Sequence, residues 1–556
     1  MALVWRWVKR LAILLVVILL GFYGWLWWQS ITASVSTHGD VALGDGNIKI
    51  PTERTRVWAS RSAVTDSLFK HWAAREMLDW KNEGKMRIPR ILLGKLGSGT
   101  EIEFVNTYLQ GRRPRGTVGS KGPFHEDGDY DFTLAGLCLI LYAFGDQPDI
   151  LYPKTANHIV DVLMTEQGGT PIVYTPRVLW LPLRDTENHI LMTEGSRYLT
   201  NRWKALHGNT DPQFDNVANG LEAWLLEYLK GMERAGMYEY NSRPYHGYTL
   251  TALLNLESFS AEPIRASARR ILDRANWEYA LGSLSFRRFP PFRRQPGRAK
   301  DAALDAGYHT GIMKTWMSLA GVEDMFIRSG AHQAIWVNLT SYRPPDVVAE
   351  WVVQKPQSYF LQMGHGRDGS PELYSGGPGY LITAGGVAND RFSQCVARPI
   401  SLMLEDGAMD LEELLHVAGP GEEYKRWNTT GVHRNFAVAA GSVSIPKEWE
   451  PVAQNKTWKI FEQANQHIAT HSADSLGIFC LLSKRNAKEL LSRLTEANLD
   501  AHTLENHFQW PSGPSITYDV HAPQNQWVIT SVDGKPVDRD HGQWPLMKGD
   551  VPGWIK

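Results

Sequence analysis

Glu187, Asn188 and His189 stand side by side just ahead of the apolar run "ILMTEGSRYL". A carboxylate, an amide donor and an imidazole that changes charge near neutral pH can together move a proton. The same residues can also open an ordinary helix, with Thr186 as N-cap and Glu187 favourably placed on the helix dipole. A second stretch, "YNSRPYHGY" at 240–248, gathers Asn241, Arg243, Tyr245, His246 and Tyr248, with Pro244 and Gly247 keeping the loop irregular. Its bland counterpart is a tight inter-helix loop in which tyrosine packs and histidine is solvated. A third, "FRRFPPFRRQPGRAKD" at 286–301, carries Arg287, Arg288 and Arg293 among prolines that exclude a regular helix. Arginine forks grip carboxylate and sulfate bidentately, so this loop suits an anionic glycan, although a solvated loop would look the same. Asp185, Glu187, Glu194 and Glu239 are the carboxylates that a paired-acid glycosidase would need instead.

These residues sit in a chain whose texture changes once. From about 60 to 330, stretches such as "SAVTDSLFKHWAAREMLDW", "DFTLAGLCLILYAFGD", "YTLTALLNLESFS" and "DAALDAGYHTGIMKTWMSLAG" carry apolar residues at helical spacing, with no strong strand run between them. Beyond Arg343, short β-prone runs are separated by Gly, Pro, Asn and Asp: "WVVQKPQSYFLQMGH", "GPGYLITAGG", "QHIATHSA", "LGIFCLLS" and "QWVITSVDG". Helical interruptions are expected at "LEELLHV" and "NAKELLSRLTEA". Helices first and strands afterwards indicate an α+β multidomain chain rather than an alternating α/β fold. The expected divisions are an anchor at 1–29, a stem at 30–54, a helical domain at 55–340 and a β domain at 341–556.

The anchor is the uncharged run "LAILLVVILLGFYGWLWW", preceded by Arg6, Lys9 and Arg10. Its 18 helical residues rise about 27 Å, close to a bilayer core. The basic flank keeps the N-terminus cytoplasmic and exports the rest, with Trp25, Trp27 and Trp28 at the interface. The alternative is secretion after cleavage near "ITASVS". Lys plus Arg (58) nearly balances Asp plus Glu (59), which argues against a general nucleic-acid binder. Cys138, Cys395 and Cys480 show no CxxC spacing, so no disulfide framework or zinc site is expected. No cofactor is expected; calcium is compatible with the many Asp and Asn loops, but no EF-hand loop is present. No protein partner can be inferred.

An exported chain, helical first and β-rich after, that carries "TENHILMTEGSRYLTNRW" and "EYNSRPYHGYTLTALLNL" resembles the α/α-toroid polysaccharide lyases. That group holds chondroitin, hyaluronate, heparin and alginate lyases. The resemblance is architectural over about 60–550 and residue-level only in those two segments. It implies an (α/α) toroid at 55–340, an antiparallel β-sandwich at 341–556, and β-elimination on an anionic, uronate-containing polysaccharide. Such chemistry neutralises the uronate carboxylate, removes the C5 proton and protonates the leaving oxygen. The resemblance assigns Asn188 to the carboxylate with help from Arg243, His189 or His246 as base, and Tyr245 or Tyr248 as acid. Glu187, Asn241, Tyr248, Arg287, Arg288 and Arg293 are the expected substrate contacts. His365, Arg367, Glu372 and Tyr374 are further residues of the β domain that could reach such a cleft. Two other functions stay open: a hydrolase on the same scaffold, and a non-catalytic glycan-binding envelope protein.

Overall fold

The computed structural model describes residues 2–32, 51–121, 127–178, 181–237, 239–242, 245–288, 303–322, 327, 332–363, 372–385, 400–405, 407–418, 430–473, 475–499, 503–522 and 526–539. Helix α1 is Ala2–Thr32, and its stretch Val4–Trp25, mean hydropathy 1.9, is long and apolar enough to cross a membrane or serve as a signal sequence. Then come α2 (Ala63–Ala73), α3 (Arg87–Ser98), α4 (Ile102–Gln110), α5 (Asp131–Phe144) and α6 (Pro153–His158). A hairpin, β1 (Tyr174–Val178) and β2 (Leu181–Arg184), precedes α7 (Glu187–Leu206), α8 (Leu221–Ala235), α9 (Tyr245–Phe259), α10 (Glu262–Leu281), α11 (Tyr308–Leu319) and α12 (Asp346–Val353). The chain forms two compact units: Met1–Thr37 with Trp72–Leu225, and His38–His71 with Leu226–Lys556.

In the first unit, α5 is apolar on every side, and a helix of that kind must be enclosed. Phe132, Leu134, Leu137, Cys138 and Leu141 are all buried. Its neighbour α7 runs alongside in the same direction: Asp131 meets His189 near one end, and the Tyr142 hydroxyl donates to Leu199 O (2.8 Å) near the other. Hairpin β1–β2 breaks the helical run. Pro176 and Pro182 argue against a strand there by their missing N–H groups, yet the register sets them opposite each other. A position that exchanges no ladder hydrogen bonds tolerates both.

Helix α3 approaches the end of α2 at Gly94, where a Cβ would lie 2.5 Å from Trp72 Cβ and 2.7 Å from Ala73 N. Helix propensity alone favours alanine over glycine by about 1 kcal/mol. Overpacking costs about 1–3 kcal/mol, and these neighbours cannot swing aside, so overpacking wins. Gly94→Ala should therefore lower the urea midpoint; an equal or higher midpoint would show that the two segments part freely.

Among the described residues, the second unit combines the later helices with three antiparallel sheets. The first sheet has the order β10-β7-β6-β5-β4-β3, built from β3 (Tyr359–Met363), β4 (Glu372–Gly377), β5 (Tyr380–Gly385), β6 (Ile400–Leu404), β7 (Leu415–Ala418) and β10 (Ser442–Ser444). The second has the order β11-β12-β13-β14-β9-β8, from β8 (Thr430–His433), β9 (Phe436–Ala439), β11 (Pro451–Gln454), β12 (Lys459–Gln463), β13 (Gln466–Ala473) and β14 (Leu476–Ser483). Helix α13 (Ala487–Ala497) leads to a four-stranded sheet of β15 (His507–Gln509), β16 (Ser515–Tyr518), β17 (Ile529–Val532) and β18 (Lys535–Pro536). One apolar core unites them, with Ile382, Leu402, Phe436, Ile478, Phe508 and Ile529 among its members.

Two segments of this unit differ from expectation. Trp351–Val353 ends helix α12 instead of opening a strand, because Pro356 separates it from β3. At "LEELLHV" only one 3-10 turn forms, Leu411–Glu413, closed by the Asp410/Glu413 capping box; Leu415 and Val417 then alternate into β7. The expected helix at "NAKELLSRLTEA" is α13, with the Asn486 side chain accepting from Lys488 N and Glu489 N. Helices and sheets within this unit are tied directly: the Tyr359 hydroxyl donates to Leu281 O (2.8 Å).

Candidate functional site

Asn188 and His189 belong to the first unit. Tyr245, His246, Asn241, Tyr248, Arg287 and Arg288 belong to the second. Arg243, Arg293, His365 and Arg367 lie outside the described residues.

At the start of α7, Thr186 has the extended backbone of an N-cap (φ −80°, ψ 164°), but its side chain does not cap. The hydroxyl instead donates to Asn188 Oδ1 (2.5 Å). That bond orients the amide, and its Nδ2 is buried with no hydrogen-bond partner among the described residues. A buried unsatisfied donor costs about 1–3 kcal/mol, which an acceptor from a ligand would recover. Glu187, the first helical residue, is 2% exposed.

His189 is held from two sides. Its Nδ1 lies 2.5 Å from Asp131 Oδ2, and the Phe132 ring meets it edge-on with centroids 5.4 Å apart. Burial holds the Asp131 carboxyl above its usual range, although the neighbouring imidazole opposes that rise. With Nδ1–H donating to the carboxylate, Nε2 is the ring's acceptor, the tautomer of a general base. Asp131 sits at the head of α5, where the helix dipole favours an anion. Its loop is set by Gly128, whose positive φ (72°) lets the backbone pass Thr117 O, which a Cβ would approach to 2.1 Å.

Asp129, Asp131 and His189 each offer a ligand atom within 4.8 Å of the others. Metal donors bound at about 2.0–2.2 Å in a tetrahedral site stand roughly 3.3 Å apart. The 2.5 Å contact between Asp131 and His189 is instead a hydrogen bond. As placed, Asp131 and His189 share a proton.

Glu194, a carboxylate candidate for glycoside hydrolysis, is committed elsewhere. It is fully buried, accepts from Ile172 N (2.8 Å), and is paired at 2.8 Å with Arg197, which also binds Glu166. Asp185, Glu187 and Glu239 are also buried.

The second unit holds a separate buried polar cluster. His246 is 5% exposed, and its Nδ1 accepts from Asn241 N (3.1 Å). Its proton is therefore on Nε2, which is buried without a partner among the described residues. This ring is a hydrogen-bond donor, not a base. His309 has the opposite polarity. Asn276 Nδ2 donates to Leu272 O (2.8 Å), so Asn276 Oδ1 accepts from His309 Nε2–H (2.9 Å). That leaves Nδ1 as the acceptor, also buried and without a partner among the described residues. The two ring centroids are 5.0 Å apart. A hydroxyl placed against both could accept from His246 and donate to His309.

Around them, Asn241 (φ 51°) donates from Nδ2 to Glu372 Oε1 (3.2 Å), and the Tyr374 hydroxyl donates to Glu372 Oε2. Tyr248 is buried (3% exposed) near the Tyr308 ring, whereas Tyr245 is only half-buried. Of the two expected acids, Tyr245 is the more exposed.

Two of the loop arginines depart from expectation. Arg287, expected to contact substrate, is 3% exposed and donates to Ala408 O (2.7 Å), Leu404 O (2.6 Å) and Glu405 O (2.6 Å). Those carbonyls lie at and just beyond the end of β6, where the ladder stops supplying donors. Arg288, expected in the same exposed role, is 8% exposed beside Tyr374 and Glu372, at 3.4 and 3.9 Å.

The buried imidazoles give the second unit a pH signature. Burial first, then the Arg288 charge, pushes His246 down to about 3. The unfolded imidazole protonates near pH 6.5, the folded one not until about 3. Between those values the unfolded chain holds more protons, so stability falls with falling pH, by at most about 1.4 kcal/mol per unit for this residue. His246→Gln should flatten the denaturant stability profile in that window. An unchanged slope would show that His246 titrates as an ordinary histidine.

Asp131 and His309 escaped the sequence reading. The acid in "DYDF" looks like a helix-opening residue, and "GYHTG" offers one histidine at another helix start. No protein-family model matches the chain, and no curated protein matches it either.

Proposed function

We propose that the chain is a polysaccharide lyase, anchored in a membrane or exported, that cleaves an anionic uronate-containing glycan by β-elimination. The proposal rests on the Asp131–His189 pair next to the buried, unsatisfied amide of Asn188. In it, His189 Nε2 takes the C5 proton while Asp131 fixes the ring and stabilises the imidazolium. Asn188 Nδ2 donates to the substrate carboxylate and strengthens that bond as the enolate forms. One such donor is worth about 10²–10³ in rate. The resemblance supplies the remaining roles, an acid to the leaving oxygen and a cation assisting neutralisation. It also supplies the finer architecture proposed here, an (α/α) toroid at 55–340 and a β-sandwich at 341–556.

The test is a panel of uronate polymers followed by the ultraviolet absorbance of the C4–C5 unsaturated product. Absorbance should rise with the wild type and stay flat with His189→Ala and Asn188→Ala. Reducing ends appearing without absorbance would replace elimination by hydrolysis. Binding without turnover on every polymer would favour a glycan-binding protein.

A further inference from the structure

A cavity of about 290 Å³ in the second unit is lined by His433, Arg434, Arg485, Arg493 and Trp510, with Pro511–Pro514 at its side. Its volume is near the lower end for small-ligand pockets, ~300 Å³. Among the described residues three arginines line it, and no aspartate or glutamate does. Arg493 pairs with Glu489 at 2.8 Å, whereas no ion pair to Arg434 or Arg485 is found among the described residues. All three arginines are exposed, and the positive charge of Arg434 and Arg485 favours an anionic ligand.

Hydrogen bonds fix the backbone of two segments that line the cavity. Arg434 and Asn435 form the two-residue turn between β8 and β9. Arg434 O accepts from Ser375 Oγ (2.5 Å), Asn435 O accepts from Leu481 N (2.9 Å), and Asn435 Nδ2 donates to Leu481 O (2.6 Å). Arg434 keeps a positive φ (53°), a conformation that favours glycine. Across the cavity, Gln509 Nε2 closes the 510–514 turn on Trp510 O (3.0 Å) and Gly513 O (2.8 Å). The Phe508 ring meets Trp510 edge-on at 5.1 Å. An indole among arginine forks suits a sugar ring that carries an acidic group: the indole offers a surface for the ring's C–H groups, and the forks take the carboxylate or sulfate.

We infer that this cavity is a second binding site, for an acidic sugar residue of a glycan, carried by the β-rich part of the chain. It stands independently of the elimination proposed above. The test is calorimetric titration of the full-length protein in detergent with a uronate hexasaccharide, a neutral hexasaccharide of equal length, inorganic phosphate and single-stranded DNA. Arg434→Gly suits the turn backbone and should keep the unfolding midpoint, while it and Arg485→Ala should each weaken uronate binding about tenfold. Trp510→Ala should weaken it about tenfold as well. His189→Ala should retain this binding, which separates the site from the catalytic proposal. Unchanged uronate affinity in an Arg434→Gly/Arg485→Ala double variant would overturn the inference. So would equal affinity for the neutral sugar or DNA, or phosphate binding as tightly as the hexasaccharide.

Discussion

Asp131→Asn should lower kcat/KM on a uronate polymer by about 10²–10⁴-fold while leaving the fold intact. The substitution keeps shape and size but removes the charge that opposes the imidazolium formed when His189 takes a proton. An asparagine can also turn its NH₂ toward Nδ1, which would select the tautomer with Nε2 protonated and unable to act as base. Two readouts separate this from mere loosening. The acid limb of the pH–rate profile should move to lower pH, because an imidazole without its anion protonates less readily. The unfolding midpoint should change little compared with the loss in rate. A fall of less than about threefold, with no movement of the acid limb, would remove Asp131 from the proton-transfer apparatus.

Arg287→Ala should produce the largest loss of stability among the residues discussed, about 3–5 kcal/mol by urea unfolding. One guanidinium serves Leu404, Glu405 and Ala408, and its loss strands three carbonyls at the end of β6. Arg287→Lys should recover only part of this, because an ammonium is a compact point charge without the planar fork. A loss below about 1 kcal/mol would mean that water replaces the guanidinium, and that the residue is as dispensable as an exposed loop arginine.

Legibility in the sequence followed the reach of the interaction. Helix α5 could be read because a continuous apolar run needs enclosure whatever surrounds it, and α13 because Asn486 caps it locally. Hairpin β1–β2 could not, because its prolines are tolerated only through a register between two strands. The same division runs through the candidate sites. Asn188 and His189 were conspicuous as neighbours in sequence, but Asp131, which fixes the His189 tautomer, lies 58 positions earlier. The two histidines expected to compete for the role of base differ through their Nδ1 partners, a carboxylate for one and a backbone N–H for the other. The burial of Arg287 and Arg288 was not legible, because a run of arginines and prolines looks the same whether it faces solvent or is folded inward.

The most direct measurement of the central claim is the mass of the products released from a defined uronate oligosaccharide. Elimination consumes no water, so one product should be lighter by one water than the corresponding hydrolytic fragment, and His189→Ala should release none of it. Products that all carry the mass of full hydrolysis, or an undiminished yield of the lighter product from His189→Ala, would contradict the account.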